Sequence, residues 1–299
     1  MRSRGKAWMA ITGRTQLTGI LGYPVAHSLS PAMQNAAFKA LGLDFCYVPL
    51  DVPPARLRAA VRSLKVLGFR GFNVTIPHKE RIGVCLDRLT PEARLIGAVN
   101  TVENRNGRFI GHNTDGRGFL AFLKADLDLS VSGRTILILG AGGAARAVAF
   151  QSALAGASIL LANRTRSRAE GLARDLRKKV KGPLVGSLPW TERALREAAG
   201  RADMIVNATS VGMKPDDPDL LVRDSFRSGQ IVCDLVYRPL ETAFLKQARQ
   251  AGARAVDGLG MLLHQGALSF EIWTDQKPPL PMMKKALEQA LQGRESGIP

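Results

Sequence analysis

The 299-residue chain is short of cysteine, aromatic residues and acid. Its three cysteines, Cys46, Cys85 and Cys233, are odd in number and far apart. That excludes a disulfide framework and a cysteine zinc site, and fits a reducing compartment, the cytoplasm. Aromatics are only 6% of residues, which argues against a base-stacking surface for nucleic acid. No apolar run approaches the roughly 18 residues a membrane span needs, so no membrane partner is expected. The basic start Met1–Lys6 is not followed by an apolar core, so no secretory signal is expected. There is no internal repeat and no low-complexity segment. None of the four histidines, His27, His78, His112 and His264, has the spacing of a metal-ligand pair, so no metal is expected and they read as structural. What the chain does have is base. Lys and Arg total 42 against 25 Asp and Glu, a formal charge of +17. Nucleic acid, membrane phosphates and small anionic ligands are all candidate partners for such a charge. The 45% of apolar residues suffice for a sizeable core and exclude a disordered basic protein. The length suggests about two domains.

Residues 1–16 lack apolar periodicity and read as a loose tail. Strand and helix then alternate. Leu17–Leu21, Phe45–Leu50 and Phe69–Val74 read as strands. Pro31–Leu41 and Pro53–Leu67 read as helices, the first opened by Ser30-Pro31 and the second closed by Gly68. Short helical pieces follow around Lys79–Cys85 and Pro91–Leu95. Ala98–Glu103 and Arg108–His112 flank Asn106-Gly107, a strong hairpin signal. A second unit begins near Ser130. Thr135–Leu139 is a continuous apolar run, as in a strand buried on both faces. Ser158–Ala162, Met204–Asn207 and Ile231–Val236 read as further strands, and Ser167–Lys179 as a helix. After Val256 come a long apolar helix, Leu259–Trp273, a proline-rich break and a last helix to about Leu291. Trp190, Trp273, Met282 and Met283 read as packing residues. Strands separated by helices imply α/β architecture with mainly parallel sheets.

Gly140, Gly142 and Ala145 match G-x-G-x-x-G/A between a strand and a helix. The first glycine permits the tight turn and the second lets a diphosphate approach the backbone. The small third residue lets helix and strand pack closely, and the phosphates sit on the helix N-terminus. An NAD site usually carries Asp or Glu at the end of the next strand. Here that strand ends in Asn163-Arg164-Thr165, with Arg168 one turn beyond. A carboxylate would repel a ribose 2′-phosphate, whereas guanidinium groups bind it, so the expected cofactor is NADP(H). Arg146, just after the turn, is expected to add to the phosphate field.

Four polar clusters fall at strand ends or in the loops after them: Ser28 and Ser30; Asn73-Val-Thr-Ile-Pro-His-Lys79; Asn100-Thr101; and Asn113-Thr-Asp-Gly116. In open α/β sheets ligands bind beyond the carboxyl ends of the strands. These clusters supply hydroxyls, amides, one ammonium and one carboxylate, the vocabulary for a small polyhydroxylated acid.

From about Thr18 to Leu291 the chain resembles the shikimate dehydrogenase family. The resemblance rests on His27-Ser-Leu-Ser-Pro31, Asn73–Lys79, Gly97-Ala-Val-Asn-Thr101, Asn113–Gly116, Gly140-Ala-Gly-Gly-Ala144, Asn163–Thr165, Asn207-Ala-Thr-Ser210 and Asp257-Gly-Leu-Gly-Met261. His112 departs from it, at a position where the family often carries another residue. The resemblance implies reversible NADPH-dependent reduction of 3-dehydroshikimate to shikimate, on the way to chorismate and aromatic amino acids. It implies a substrate-binding domain over 17–116, completed by helices returning over 258–292, and a Rossmann-type NADP-binding domain over 117–257. Lys79 and Asp115 would be the catalytic pair. Ser28 and Ser30 would hold the substrate carboxylate, with Tyr237 against that end. Thr75, Asn100, Asp115 and Gln265 would bind ring hydroxyls. Gly140, Ala141, Gly142, Gly143 and Ala144 would cradle the diphosphate, and Asn163, Arg164, Thr165 and Arg168 the adenosine phosphate. Met213, Gly258 and Met261 would border the nicotinamide. The chemistry agrees at one point on its own terms: hydride transfer to a ketone leaves an alkoxide, which a nearby ammonium such as Lys79 can protonate.

Two other readings stand beside this one. A quinate/shikimate dehydrogenase of broader specificity could prefer NAD. A basic nucleic-acid-binding protein would need a recognised motif that the chain lacks. A homodimer is left open. The run Arg174, Arg177, Lys178, Lys179, Lys181 reads as a solvated helix face.

Overall fold

A computed structural model describes residues 11–295. The tail reading over 1–10 therefore lies outside the described residues. Residues 11–15 are irregular, and the first strand starts at Gln16.

The elements in order are β1 (Gln16–Gly22), α1 (Ser30–Ala40), β2 (Phe45–Asp51), α2 (Leu57–Val66), β3 (Gly71–Val74), β4 (Arg88–Leu89), α3 (Pro91–Ile96), β5 (Thr101–Arg105), β6 (Arg108–His112) and α4 (Asp115–Leu127). They continue as β7 (Thr135–Leu139), α5 (Gly143–Leu154), β8 (Ser158–Ala162), α6 (Arg166–Lys179), β9 (Val185–Leu188), α7 (Glu192–Arg201), β10 (Met204–Asn207), β11 (Ile231–Asp234), α8 (Ala243–Gln250), β12 (Arg254–Val256), α9 (Leu259–Thr274) and α10 (Leu280–Glu295). The chain forms two compact units. Of the described residues, one holds those up to Thr90, Asn100–His112 and those from Gly266; the other holds Pro91–Val99 and Asn113–Gln265.

The sheet of the first unit runs β2-β1-β3-β5-β6-β4. It is mixed. β1 pairs in parallel with β2 and β3, but β5 is antiparallel to both β3 and β6. The hairpin at Asn106-Gly107, with both residues at positive φ, reverses the chain between β5 and β6. Its first strand begins at Thr101, later than the apolar run from Ala98 suggested. Pro53–Leu67 is a short 3-10 turn, Pro54–Arg56, followed by α2. Around Lys79–Cys85 only Ile82–Cys85 is helical, again 3-10. Met33 and Ala37 of α1 and Met283 and Leu287 of α10 are buried in this unit's core. Trp273 is buried too, and its indole N–H donates to Val102 O at 2.9 Å. Met282 is instead 47% exposed.

The sheet of the second unit runs β12-β11-β10-β7-β8-β9, with every pairing parallel. By order of appearance this is 6-5-4-1-2-3, the doubly wound order of dinucleotide-binding folds. The central strand β7 is apolar throughout because helices cover both of its faces. Ala145, Ala147 and Ala149 of α5 are fully buried, which lets the helix lie close to the sheet. Two apolar clusters result, one spanning α4, α5 and α6, the other α7 and α8. Trp190 packs against the second of them. No described helix is long and apolar enough to cross a membrane.

Candidate functional site

In the first unit the polar clusters converge on one sheet edge. β1 and β3 are parallel neighbours and end together: Thr75 N donates to Leu21 O at 2.9 Å, and Tyr23 N to Ile76 O at 3.0 Å. β5 is antiparallel to β3, so its first residues lie at that same edge; Val74 N donates to Asn100 O at 2.8 Å. The segments that carry Ser28 and Ser30, Thr75 and Lys79, and Asn100 thus leave from, or enter at, one edge of this sheet.

Local hydrogen bonds fix each segment. Ser28 N donates to Val25 O, and Ser28 Oγ accepts from Ser30 N at 3.2 Å, a serine turn that opens α1. Both serines are buried. The Thr75–Lys79 turn closes with His78 N donating to Thr75 O. His78 is fully buried, and its Nε2 lies 2.7 Å from Val52 O, which ties the turn to the end of β2. Lys79 follows, half-buried.

In the second unit Asn113 Nδ2 donates to Ala98 O at 3.0 Å, and Asn113 Oδ1 accepts from Asp115 N at 3.1 Å. This Asx turn places Asp115, buried, at the first position of α4. One turn on, Gly118 packs directly on Gln265: a Cβ there would lie 2.6 Å from Gln265 N and Cβ. The missing side chain is what lets α4 and α9 approach with Asp115 and Gln265 on the packed pair. Gln265 Nε2 donates to Leu262 O. His264 adds a second tie, with Nε2 3.2 Å from Asp126 of α4.

The glycine turn lies where the strand order reverses, between β7 and β10, the usual ligand position in such sheets. Gly140 has φ +115, and a Cβ would stand 2.8 Å from Ala208 O, so only glycine fits. Its N–H donates to Ala162 O of β8. Ala141 is buried, and Gly142, Gly143 and Ala144 are half-buried around the start of α5, whose first amides have no intrahelical acceptor. At the end of β8, Asn163 Nδ2 donates to Thr165 O, and Arg164, Thr165 and Arg168 are exposed. No carboxylate occupies this strand end. A diphosphate on the backbone turn and a phosphate on the guanidinium groups both fit these residues.

Arg146 does something other than expected. Its Nε donates to Ile96 O at 2.7 Å and its Nη2 pairs with Asp175 at 2.8 Å, so it joins α3 and α6 to α5 and its charge is neutralised within the unit. Lys179, exposed like the rest of its run, donates through Nζ to Leu95 O.

The loop after β10 ends at Met213, which is 38% exposed. Asn207 holds this loop through Nδ2 to Val211 O and through Oδ1, which accepts from the Thr209 N–H and hydroxyl. Asn207 Nδ2 also donates to Asp234 at 2.8 Å, and Asp234 accepts from Val236 N and the Thr242 hydroxyl. Burial pushes the Asp234 carboxyl up to about 6, against these hydrogen bonds, which pull it down. Tyr237 follows, half-buried, and Gly258 N donates to Val236 O. Met261 is buried in the larger apolar cluster of the unit.

Asp234, a buried carboxylate bonded to the Asn207 that holds this loop, is a residue the sequence reading passed over. Its signal was a lone carboxylate ending an apolar strand, beside Asn207 on the neighbouring one. Ser269 and Tyr47, buried partners of Asn73, are others.

Two family profiles match the chain. One, the shikimate dehydrogenase substrate binding domain, covers residues 20–102; the other, the shikimate 5'-dehydrogenase C-terminal domain, covers 258–288. A shikimate dehydrogenase (NADP(+)) of Methanopyrus kandleri is 48% identical over 290 residues, 95% of this chain and 99% of its own. The chain belongs to the shikimate dehydrogenase family. Among solved structures, the family's enzyme from Thermus thermophilus, in complex with NADP(H) and shikimate, is 42% identical. It has a TM-score of 0.82 and covers 92% of this chain and 100% of its own. A quinate dehydrogenase from Corynebacterium glutamicum in complex with NAD is also similar, at 30% identity and TM-score 0.82, over 92% of this chain and 99% of its own. The fold alone therefore does not distinguish the two substrates.

Proposed function

We propose that the chain is an NADP-dependent shikimate dehydrogenase, which interconverts 3-dehydroshikimate and shikimate on the route to aromatic amino acids. The observation that carries this is the 48% identity to a shikimate dehydrogenase (NADP(+)) along 99% of that protein. The arginines at the end of β8, where an NAD site would carry a carboxylate, support the choice of nucleotide.

The nicotinamide supplies the hydride acceptor or donor. The chain's residues do the rest. Ser28 and Ser30 hold the substrate carboxylate, with Tyr237 against it. Thr75, Asn100 and Gln265 bind the ring hydroxyls. Lys79 gives a proton to the carbonyl oxygen as the ketone becomes an alcohol, and its amine takes that proton back in the other direction. Asp115 accepts hydrogen bonds from the substrate hydroxyl and from Lys79 and keeps both in line. Gly140, Ala141, Gly142, Gly143 and Ala144 approach the diphosphate, and Asn163, Arg164, Thr165 and Arg168 hold the 2′-phosphate. Met213, Gly258 and Met261 border the nicotinamide.

In this reading residues 17–116 with 258–292 handle mainly substrate and 117–257 mainly the nucleotide, with Tyr237 serving the substrate and Gly258 and Met261 the nicotinamide across that division. The partners are these two small molecules, and nucleic acid and membrane have no part. The location is cytoplasmic, in keeping with Cys46, Cys85 and Cys233, all free thiols. The test is kcat/KM for shikimate and quinate with each nucleotide. The reading expects shikimate with NADP to exceed the other three combinations; faster turnover of quinate with NAD overturns it.

A further inference from the structure

Asp234 is a fully buried carboxylate that no step of the proposed reaction uses. It ends β11 in register with Asn207, which ends the neighbouring strand β10 and is also fully buried. The chain after β10 leads to Met213, and the chain after β11 leads to Tyr237.

Donors and acceptors around this pair balance atom by atom. Asn207 Nδ2 has two hydrogens and two acceptors, Val211 O at 3.0 Å and Asp234 Oδ1 at 2.8 Å. Val211 O can only accept, so the amide stands this way round. Asn207 Oδ1 then takes two donors, the Thr209 N–H at 3.0 Å and the Thr209 hydroxyl at 2.7 Å. With its proton used there, Thr209 Oγ1 accepts from Val211 N at 3.1 Å. Asp234 Oδ1 also accepts from Val236 N at 2.9 Å. Thr242 Oγ1 accepts from Leu245 N, capping α8, which leaves its proton for Asp234 Oδ2 at 2.7 Å. Gly212 lies over Thr242: at φ +102, a Cβ there would stand 3.1 Å from Thr242 Cγ2. Beyond it, Asp217 Oδ2 accepts from Gly212 N and Lys214 N, on either side of Met213.

We infer that Asp234 is a positioning residue for the nicotinamide end of the cofactor: as a carboxylate it takes one hydrogen bond each from Asn207, Val236 and Thr242, and so fixes the loop that ends at Met213 against the chain that leads to Tyr237. The inference rests on Met213 bordering the nicotinamide, as proposed above. A neutral amide in its place has a single acceptor oxygen. If that oxygen keeps Asn207 and Val236, its NH2 group faces Thr242 and the Thr242 proton loses its acceptor. If it is turned, its NH2 group faces two N–H donors, which buried polar groups tolerate poorly. Folding alone does not explain the charge. Burial, with the Asp257 charge adding to it, pushes the carboxyl up to about 6 against its hydrogen bonds. At neutral pH the ionised group therefore works against the stability of the unit, and a charge retained on those terms points to a task at the site.

The test titrates the full chain calorimetrically with NADP and with 2′-phospho-ADP-ribose, which is NADP without its nicotinamide. Asp234→Asn keeps the shape and removes the charge. Its Kd for NADP is expected to rise about fivefold and its Kd for 2′-phospho-ADP-ribose to change by less than about twofold, so that the loss falls on the nicotinamide end. In the same variant kcat for shikimate oxidation should fall about tenfold, while the melting temperature at about pH 8 is no lower than the parent's. Thr209→Val keeps the carboxylate and removes the hydroxyl that holds the Asn207 amide. It should shift the two Kd values in the same sense as Asp234→Asn, and Thr209→Ser should return both to within about twofold of the parent. Equal changes in the two Kd values of Asp234→Asn, or none, overturn the inference, as does a Thr209→Val loss that Thr209→Ser does not restore. A lowered melting temperature with the ratio of the two Kd values unchanged makes Asp234 structural only and overturns it too. If Asp234→Asn does not fold, the Thr209 pair decides. The titrations use no shikimate, so they decide the inference even if the parent proves inactive on shikimate, which would instead remove the function proposed above.

Discussion

The edges of the two sheets present different kinds of polar group to a ligand. At the edge of the first sheet they are side chains. Hydroxyls, amides and an ammonium sit on three chain ends, each held by a local turn. At the edge of the second sheet they are mostly backbone groups. Gly140 has room for nothing but hydrogen, and the start of α5 offers amides, with only the arginines after β8 contributing charge. The buried polar networks behind these edges differ in the same sense. The one in the first unit is neutral, built from Tyr47, Asn73, Thr101, Ser269 and Asn100. The one in the second contains a carboxylate, Asp234, which fixes the loop leading to Met213. A side-chain site can discriminate among ring oxygens, whereas a backbone site grips any diphosphate and leaves discrimination to its arginines. With substrate and nucleotide bound as proposed, their selection falls to separate sets of atoms and should be separable by mutation.

The largest expected effect is on chemistry. Lys79→Ala should lower kcat for shikimate oxidation by about 10²–10⁴. Loss in KM alone would make Lys79 a binding residue. Next is nucleotide choice. Arg164→Asp should reduce kcat/KM for NADP by about 10- to 100-fold, the worth of a charged hydrogen bond, while KM for shikimate holds. Unchanged NADP preference would break the assignment of discrimination to the arginines.

Third is pH. The Asp234 carboxyl titrates at about 6 in the folded chain against an ordinary 3.8. The folded state therefore holds that proton more tightly, and the stability it contributes below the ordinary value is lost as pH rises through about 6. Asp234→Asn removes this dependence. Relative to the parent, its unfolding free energy should rise by on the order of 3 kcal/mol from about pH 4 to pH 7. A parallel pH profile in parent and variant, by denaturant unfolding, would show that the second unit's network holds no titrating carboxylate. Smallest is the α6 surface. Replacing Arg174, Arg177 and Lys178 with Gln should change kcat/KM by less than about twofold and stability by less than about 0.5 kcal/mol, since all three are exposed.

Much of this was legible in the sequence because the signals are local. The apolar run of β7, the glycine turn and the missing acid after β8 each depend on a few adjacent residues. The polar clusters were visible for the same reason. What escaped depends on contacts far apart in the chain. Arg146 sits beside the glycine turn, yet its partners are Ile96 and Asp175, and nothing near it in sequence announces either. Ser269 reads as one small residue in an apolar helix; only the packing of α9 against β3 and β5 turns it into a partner of Asn73 and Thr101. β9, α7, α8 and β12 were passed over because they are short or of mixed polarity. The hairpin signal at Asn106-Gly107 announced the antiparallel pairing of β5 with β6, but nothing local announced that β5 would also run antiparallel to β3.

The +17 charge takes a different meaning from this. Arg164 and Arg168 lie exposed after β8, where the nucleotide is proposed to bind, Arg146 is paired with Asp175, and Arg174, Arg177, Lys178 and Lys179 lie exposed on α6.

The account's central claim is tested most directly by the purified chain's rate of nicotinamide reduction with shikimate, comparing NADP with NAD. Rapid reduction of NADP with shikimate, much slower with NAD, and loss of both in Lys79→Ala is the expected result. No reduction of either nucleotide with shikimate, by chain shown to be folded, would contradict it.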